Sequence, residues 1–159
     1  RLIVALGIIG YTAGACQAQG LPREEVAKRA KAAVVFVEVG GTFKQGSAFC
    51  IHESGFFLTN QHVVGDASEV KLVFDPGLMH QKILAARVVR HDRELDLALL
   101  KTESKAPLTA LPLGTSEGLT ELTEVVAAGF PFGTALAVEK GAYPAVSVNL
   151  GRVTSLRLK

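Results

Sequence analysis

The segment "LTNQHVV" at positions 58–64 sets a histidine, His62, directly after an apolar run and a polar pair. A strand end is a useful place for this side chain. The sheet holds the backbone while the imidazole reaches a cleft, where it can work as a general base. Farther along, "ELDLALLK" puts Asp96 immediately before another apolar run, 34 residues after His62. A carboxylate entering an apolar interior is costly unless a specific partner holds it, and an imidazole N–H is such a partner. The interval leaves room for two strands to return the chain to the same edge of a barrel. His62 and Asp96 are therefore the candidate base and its orienting acid. Asp92 is the weaker alternative, because in "RHDRE" it stands among charged residues where water can solvate it. The other histidines, His52, His80 and His91, fall in turns and charged loops and are expected to face solvent.

The elements that must position this pair are short. "VVFVEV" (34–39), "SAFCI" (47–51), "FFLTN" (56–60), "VKLVF" (70–74), "ILAARVV" (83–89) and "LALLK" (97–101) are apolar or β-branched runs bounded by Gly, Pro, Asp or charged residues. With no helix-length periodic segment between them they read as six antiparallel strands of a barrel or sandwich, which excludes a βαβ fold. Before them, "LPREEVAKRAKAAV" predicts a short amphipathic helix at 22–33, with Pro22 suited to a first turn and Glu24/Lys28 and Glu25/Arg29 spaced i,i+4. The polar, proline-bearing stretch 102–112 reads as a linker or crossover. After it, "TEVVAAGFPFG" (123–133) gives one strand ending in a Gly/Pro turn, and "AVSVNLGRVTSLRL" (145–158) gives two β-rich runs around Gly151. So few strands cannot close a barrel.

Composition agrees with a packed chain. Of 159 residues, 48% are apolar and 20% charged, and the net charge is +2, which excludes a polar disordered polypeptide. Lys and Arg are spread along the sequence without a basic stripe, so no nucleic-acid partner is expected. The first 18 residues differ from the rest. Arg1, an apolar stretch and an A-x-A site (Ala13, Gly14, Ala15) read as a signal peptide, with a membrane anchor or a buried element as alternatives. The expected location is exported, periplasmic or extracellular, with membrane contact only through such an anchor. Cys16 follows the A-x-A where a lipoprotein would be acylated, although Ala13 stands where such signals carry Leu. Cys50, flanked by apolar residues, reads as core, and the two cysteines make no disulfide framework. Nothing calls for a cofactor or a metal.

Taken in order, "GSAFCIHESGFFLTNQHVV", "RELDLALLK", "AAGFPFG" and "VNLGRVTSL" resemble the first part of a trypsin-like serine protease of the bacterial HtrA/Deg type, over roughly residues 32–156. The resemblance implies two six-stranded antiparallel β-barrels with the active site between them. The chain is then an all-β, trypsin-like double barrel, its first barrel complete at 34–105 and its second only begun at 106–159. It further implies hydrolysis of peptide bonds in unfolded or exposed polypeptide segments, an assembly of identical subunits in the full-length protein, and the roles of His62 and Asp96 in a Ser-His-Asp triad. Two departures stand out. The family's Gly-Ser-Gly is Gly46-Ser47-Ala48, and no Gly-x-Ser-Gly-Gly occurs in the 159 residues, so the nucleophile is expected beyond Lys159. Ser47, Ser104, Ser116, Ser147 and Ser155 lack a glycine-rich elbow and are poor substitutes. The competing functions are a catalytically dead trypsin-like domain serving as a binding or scaffold module, and an unrelated β-barrel in which His62 and Asp96 meet by chance.

Overall fold

The computed structural model describes residues 21–41, 44–137 and 142–156. The expected leader, with Cys16, lies outside these residues. Helix α1 (Arg23–Ala33) buries Val26, Ala30 and Ala33 along one face and carries Glu24 and Glu25 in its first turn, where carboxylates favour the helix dipole. Pro22 sits at the N-cap, one residue before the first turn that its fixed φ suits.

Six strands come next: β1 (Val34–Glu38), β2 (Gln45–His52), β3 (Phe56–Thr59), β4 (Glu69–Phe74), β5 (Lys82–Asp92) and β6 (Leu97–Thr102). All pairings are antiparallel, and the order β1-β2-β3-β6-β5-β4 closes through β1 and β4 into a barrel. Closure removes free strand edges, which is why runs as short as four residues suffice here.

Strand β1 explains why its sequence shows no polar alternation. Val35 and Val37 point into the barrel with Ala48, Cys50, Phe57, Leu72 and Leu100. Val34 and Phe36 face the other way, into a second cluster with Phe49, Val73, Leu111 and Phe130. Both faces of the strand are buried, so every residue from Val34 to Val37 is apolar. The outer cluster joins the barrel to the C-terminal part of the chain. Phe36 packs edge-on against Phe130 and tilted against Tyr143, with ring centroids 5.4 Å apart in each case.

The crossover after β6 is packed against the barrel. The N–H groups of Leu108 and Leu111 donate to the carbonyls of Glu53 and Cys50, and Leu111 is buried. Strands β7 (Glu124–Gly129) and β8 (Ser147–Arg152) then form a two-stranded antiparallel ribbon, with a 3-10 turn (Gly133–Leu136) between them. The two β-rich runs expected around Gly151 are one strand that passes through it, with Gly151 opposite Val125. Among the described residues the second β unit is thus this two-stranded ribbon and does not close into a barrel. A bidentate ion pair from Arg23 to Glu124, both bonds 2.7 Å, ties α1 to β7.

Candidate active site

His62 does not end a strand. It lies one step farther on, in α2 (Gln61–Val64), a single helical turn that is too short to show a period in the sequence. The meeting of His62 with Asp96 follows from strand register. β3 pairs with β6 with Thr59 opposite Ala98, so two residues beyond that pair Gln61 falls opposite Asp96. The Gln61 N–H accordingly donates to the Asp96 carbonyl at 3.1 Å.

Around this corner the Asp96 carboxylate is held from three directions. The backbone N–H of His62 donates to Oδ1 at 2.9 Å, His62 Nδ1 lies 2.7 Å from Oδ2, and Asn60 Nδ2 donates to Oδ2 at 3.3 Å and to the Asp96 carbonyl at 3.2 Å. These bonds, led by that from the His62 backbone N–H, keep the carboxyl below its usual range against the opposing effect of burial. An ionised carboxylate can only accept, so Nδ1 carries a proton, and in the neutral imidazole Nε2 is left as an acceptor. The same reasoning fixes the Asn60 amide, because its oxygen would face two oxygens if the group were turned over. Asp96 has φ of 53°, in the left-handed region, a conformation costing ~1–3 kcal/mol for most residues and less for Asp. Its side chain is 42% exposed, so the carboxylate sits at the rim and not in the interior that the sequence had suggested.

Asp92, the alternative acid, accepts from the Leu95 N–H at 2.9 Å and so braces the turn between β5 and β6. His52 ends β2 and His91 lies within β5, in strands and not in the turn and loop expected of them, yet with His80 they face solvent as expected; His52 pairs with Ser54 at 2.8 Å and His80 lies 3.4 Å from Asp75. Cys50 is fully enclosed, donates to the His52 carbonyl and has its thiol pushed up by burial. Among the described residues no group of His, Cys, Asp and Glu converges as a metal site would.

His62 opens on a cleft of about 240 Å³ between the barrel and the ribbon, lined on one side by Gln45, Gly46, Ser47 and Asn60 and on the other by Ala127–Phe130, Ser147 and Asn149. Strand β2 fastens the two sides together. Ser47 Oγ accepts from the Phe130 N–H at 2.8 Å, Gln45 Oε1 accepts from the Thr134 N–H at 2.9 Å, and Thr59 Oγ1 donates to the Ser47 carbonyl at 2.8 Å. The Ser47 hydroxyl is therefore part of the framework, and among the described residues no serine hydroxyl bonds the imidazole. Gln45 and Asn60 escaped the sequence reading. Asn60 belongs to the polar pair before His62, whereas Gln45 carried no signal, since a glutamine opening a strand is usually solvated.

A closed six-stranded antiparallel barrel followed by the start of a second β unit, with His62 and Asp96 beside the cleft between them, is the architecture of one protease class. Residues 46–158 match the profile of the trypsin-like peptidase domain, and the chain belongs to that family. It is 38% identical over 96 residues to the magnetosome formation protease MamE of Paramagnetospirillum magneticum, covering 60% of this chain and 13% of that protein. It is 43% identical over 96 residues to a probable periplasmic serine endoprotease DegP-like of Pseudomonas putida, covering 60% of this chain and 19% of that protein. An anti-sigma-I factor RsgI9 of Acetivibrio thermocellus is 35% identical over 105 residues, covering 66% and 14%. The chain thus spans a small part of each of these relatives.

Proposed function

We propose that this chain supplies the base and the orienting acid of a serine endopeptidase acting on unfolded or exposed polypeptide segments. His62 Nε2 takes the proton from a serine hydroxyl as the oxygen attacks the scissile carbonyl, then returns it to the departing amine. Asp96 keeps the proton on Nδ1, so that Nε2 faces the substrate, and stabilises the imidazolium that forms. The serine and the oxyanion-hole N–H groups belong to a Gly-x-Ser-Gly-Gly segment outside residues 1–159. The domain limits read from the sequence and an exported location, in keeping with a DegP-like relative named periplasmic, are part of the same proposal. One observation carries it: the 2.7 Å bond between His62 Nδ1 and Asp96 Oδ2, in a corner where the carboxylate's other oxygen is occupied.

One finding favours a second reading, the dead trypsin-like module, since a protein named as an anti-sigma factor is among the relatives. Labelling the full-length protein with a serine-directed fluorophosphonate separates the two. The peptidase reading expects one label per active site, lost in His62→Ala, together with casein cleavage. A folded full-length protein that neither labels nor cleaves contradicts it.

A further inference from the structure

Gly46 stands between Gln45 and Ser47 on β2, beneath the helical turn that carries His62. A Cβ at this position would fall 2.7 Å from Val63 Cγ2 and 2.9 Å from Val63 Cγ1. Carbon atoms settle at about 3.5–4.0 Å, so one partner would have to move. Which one moves decides what the glycine is for.

Val63 cannot turn away. It is β-branched, with a stiff first torsion, and is 4% exposed in the inner cluster among buried valines, Cys50 and Phe57. Strand β2 cannot retreat either. Its ladder to β1 pairs Gln45 with Glu38, Gly46 with Val37 and Ser47 with Phe36. The Phe130 and Thr134 N–H groups, from across the cleft, and the Thr59 hydroxyl, from β3, hold Ser47 and Gln45 in place. The element left to yield is α2. It is one turn long, has no strand ladder of its own, and besides the packing of Val63 and Val64 is tied to the rest of the barrel by the Gln61 and His62 N–H bonds to Asp96, the residue before β6. A side chain at 46 would lift that turn and carry the imidazole with it.

We infer that Gly46 is a positioning residue for His62: its bare backbone is the seat against which Val63 rests, and that contact fixes the height of the imidazole over the cleft. The inference rests on the proposed role of His62. It also gives a sense to the departure at position 48 in "GSA". Ala48 is buried in the inner cluster beside Cys50, where a methyl group fits, whereas at Gly46 it does not.

The test is a pair of substitutions in the full-length protein. Gly46→Ala should lower kcat by ~100-fold, the scale of an ångström-sized misplacement, with KM changed much less. Adding Val63→Ala to that variant removes both colliding carbons and should recover about tenfold of the lost kcat, a coupling expected only of residues in contact. Amide hydrogen exchange supplies a readout that does not depend on turnover. In Gly46→Ala the amides of His62 and Gly65, which bond Asp96 and Gln61, should exchange faster while those of β4 and β5 keep their protection, and Val63→Ala should restore them. If the parent protein cleaves nothing, the peptidase reading fails and the exchange data alone decide the seat. Normal kcat and exchange in Gly46→Ala, faster exchange throughout the barrel, or no recovery in the double variant would each overturn the inference. Should Gly46→Ala not fold, the double variant must fold and protect the His62 amide; its failure to do so overturns the inference as well.

Discussion

The closed barrel and the β7–β8 ribbon are both antiparallel, yet they hold their residues very differently. In the barrel every strand has two neighbours, and Phe57, Leu72 and Leu100 are completely enclosed. In the ribbon each strand has one, every position is half-buried or exposed, and Leu150 is 53% exposed. Both His62 and Asp96 are fixed by the barrel, through the register of β3 against β6. The ribbon contributes the far wall of the cleft, Ala127–Phe130 and Asn149. The His62–Asp96 pair therefore belongs to the element with no free edge, and the facing wall of the cleft belongs to the open one.

The largest effect that would sharpen this contrast is kinetic. Asp96→Asn in the full-length protein should cut kcat by roughly 10⁴-fold, as an amide in place of the carboxylate selects the wrong tautomer. Peptide hydrolysis measures it, and a loss under about tenfold would remove Asp96 from the mechanism. Stability comes next. Phe57→Ala, emptying a site of zero exposure, should cost ~3–5 kcal/mol, whereas Leu150→Ala on the ribbon should change stability by no more than ~0.5 kcal/mol. Equal costs in denaturant titrations would mean that the ribbon is as firmly packed as the barrel.

The smallest effect concerns the tie between the two units. Tyr143 donates its hydroxyl to Glu38 Oε2 at 2.9 Å, and Lys71 pairs with the other oxygen at 3.0 Å. Burial, followed by that hydrogen bond, pushes the Tyr143 phenol from 10.0 up to about 12. A folded value above the unfolded one means that the stabilisation is complete below pH 10 and is lost as pH rises towards 12. Between those values the parent protein should lose stability more steeply than Tyr143→Phe, which has no phenol to ionise. Identical slopes in alkaline unfolding curves would show that Tyr143 does not join the units.

Most of the barrel was legible in the sequence because short β-branched runs between Gly, Pro and Asp leave few other solutions. That Asp96 and not Asp92 would meet His62 was legible too, since only Asp96 adjoins the apolar run that becomes β6. Three things were hidden. The turn carrying His62 is held by bonds to Asp96, the residue before β6 and 34 positions away, and no local pattern encodes it. The left-handed φ of Asp96 was hidden too, because Asp tolerates that region without demanding it, and the bond from Asn60 to the Asp96 carbonyl comes from a residue 36 positions earlier. Gly46 looked like ordinary strand punctuation, because a close approach by a valine 17 residues later becomes visible only when the strands are closed.

The central claim is that the barrel holds His62 with its proton on Nδ1 and bonded to Asp96. Nitrogen-15 labelling of the histidines, with proton NMR of the intact protein, tests it most directly. The expected spectrum has one ring N–H, that of His62, shifted far downfield and slow to exchange, absent in Asp96→Asn, while His52, His80 and His91 give ordinary exchanging signals. A His62 ring proton indistinguishable from those three, or one unchanged by Asp96→Asn, would contradict the claim.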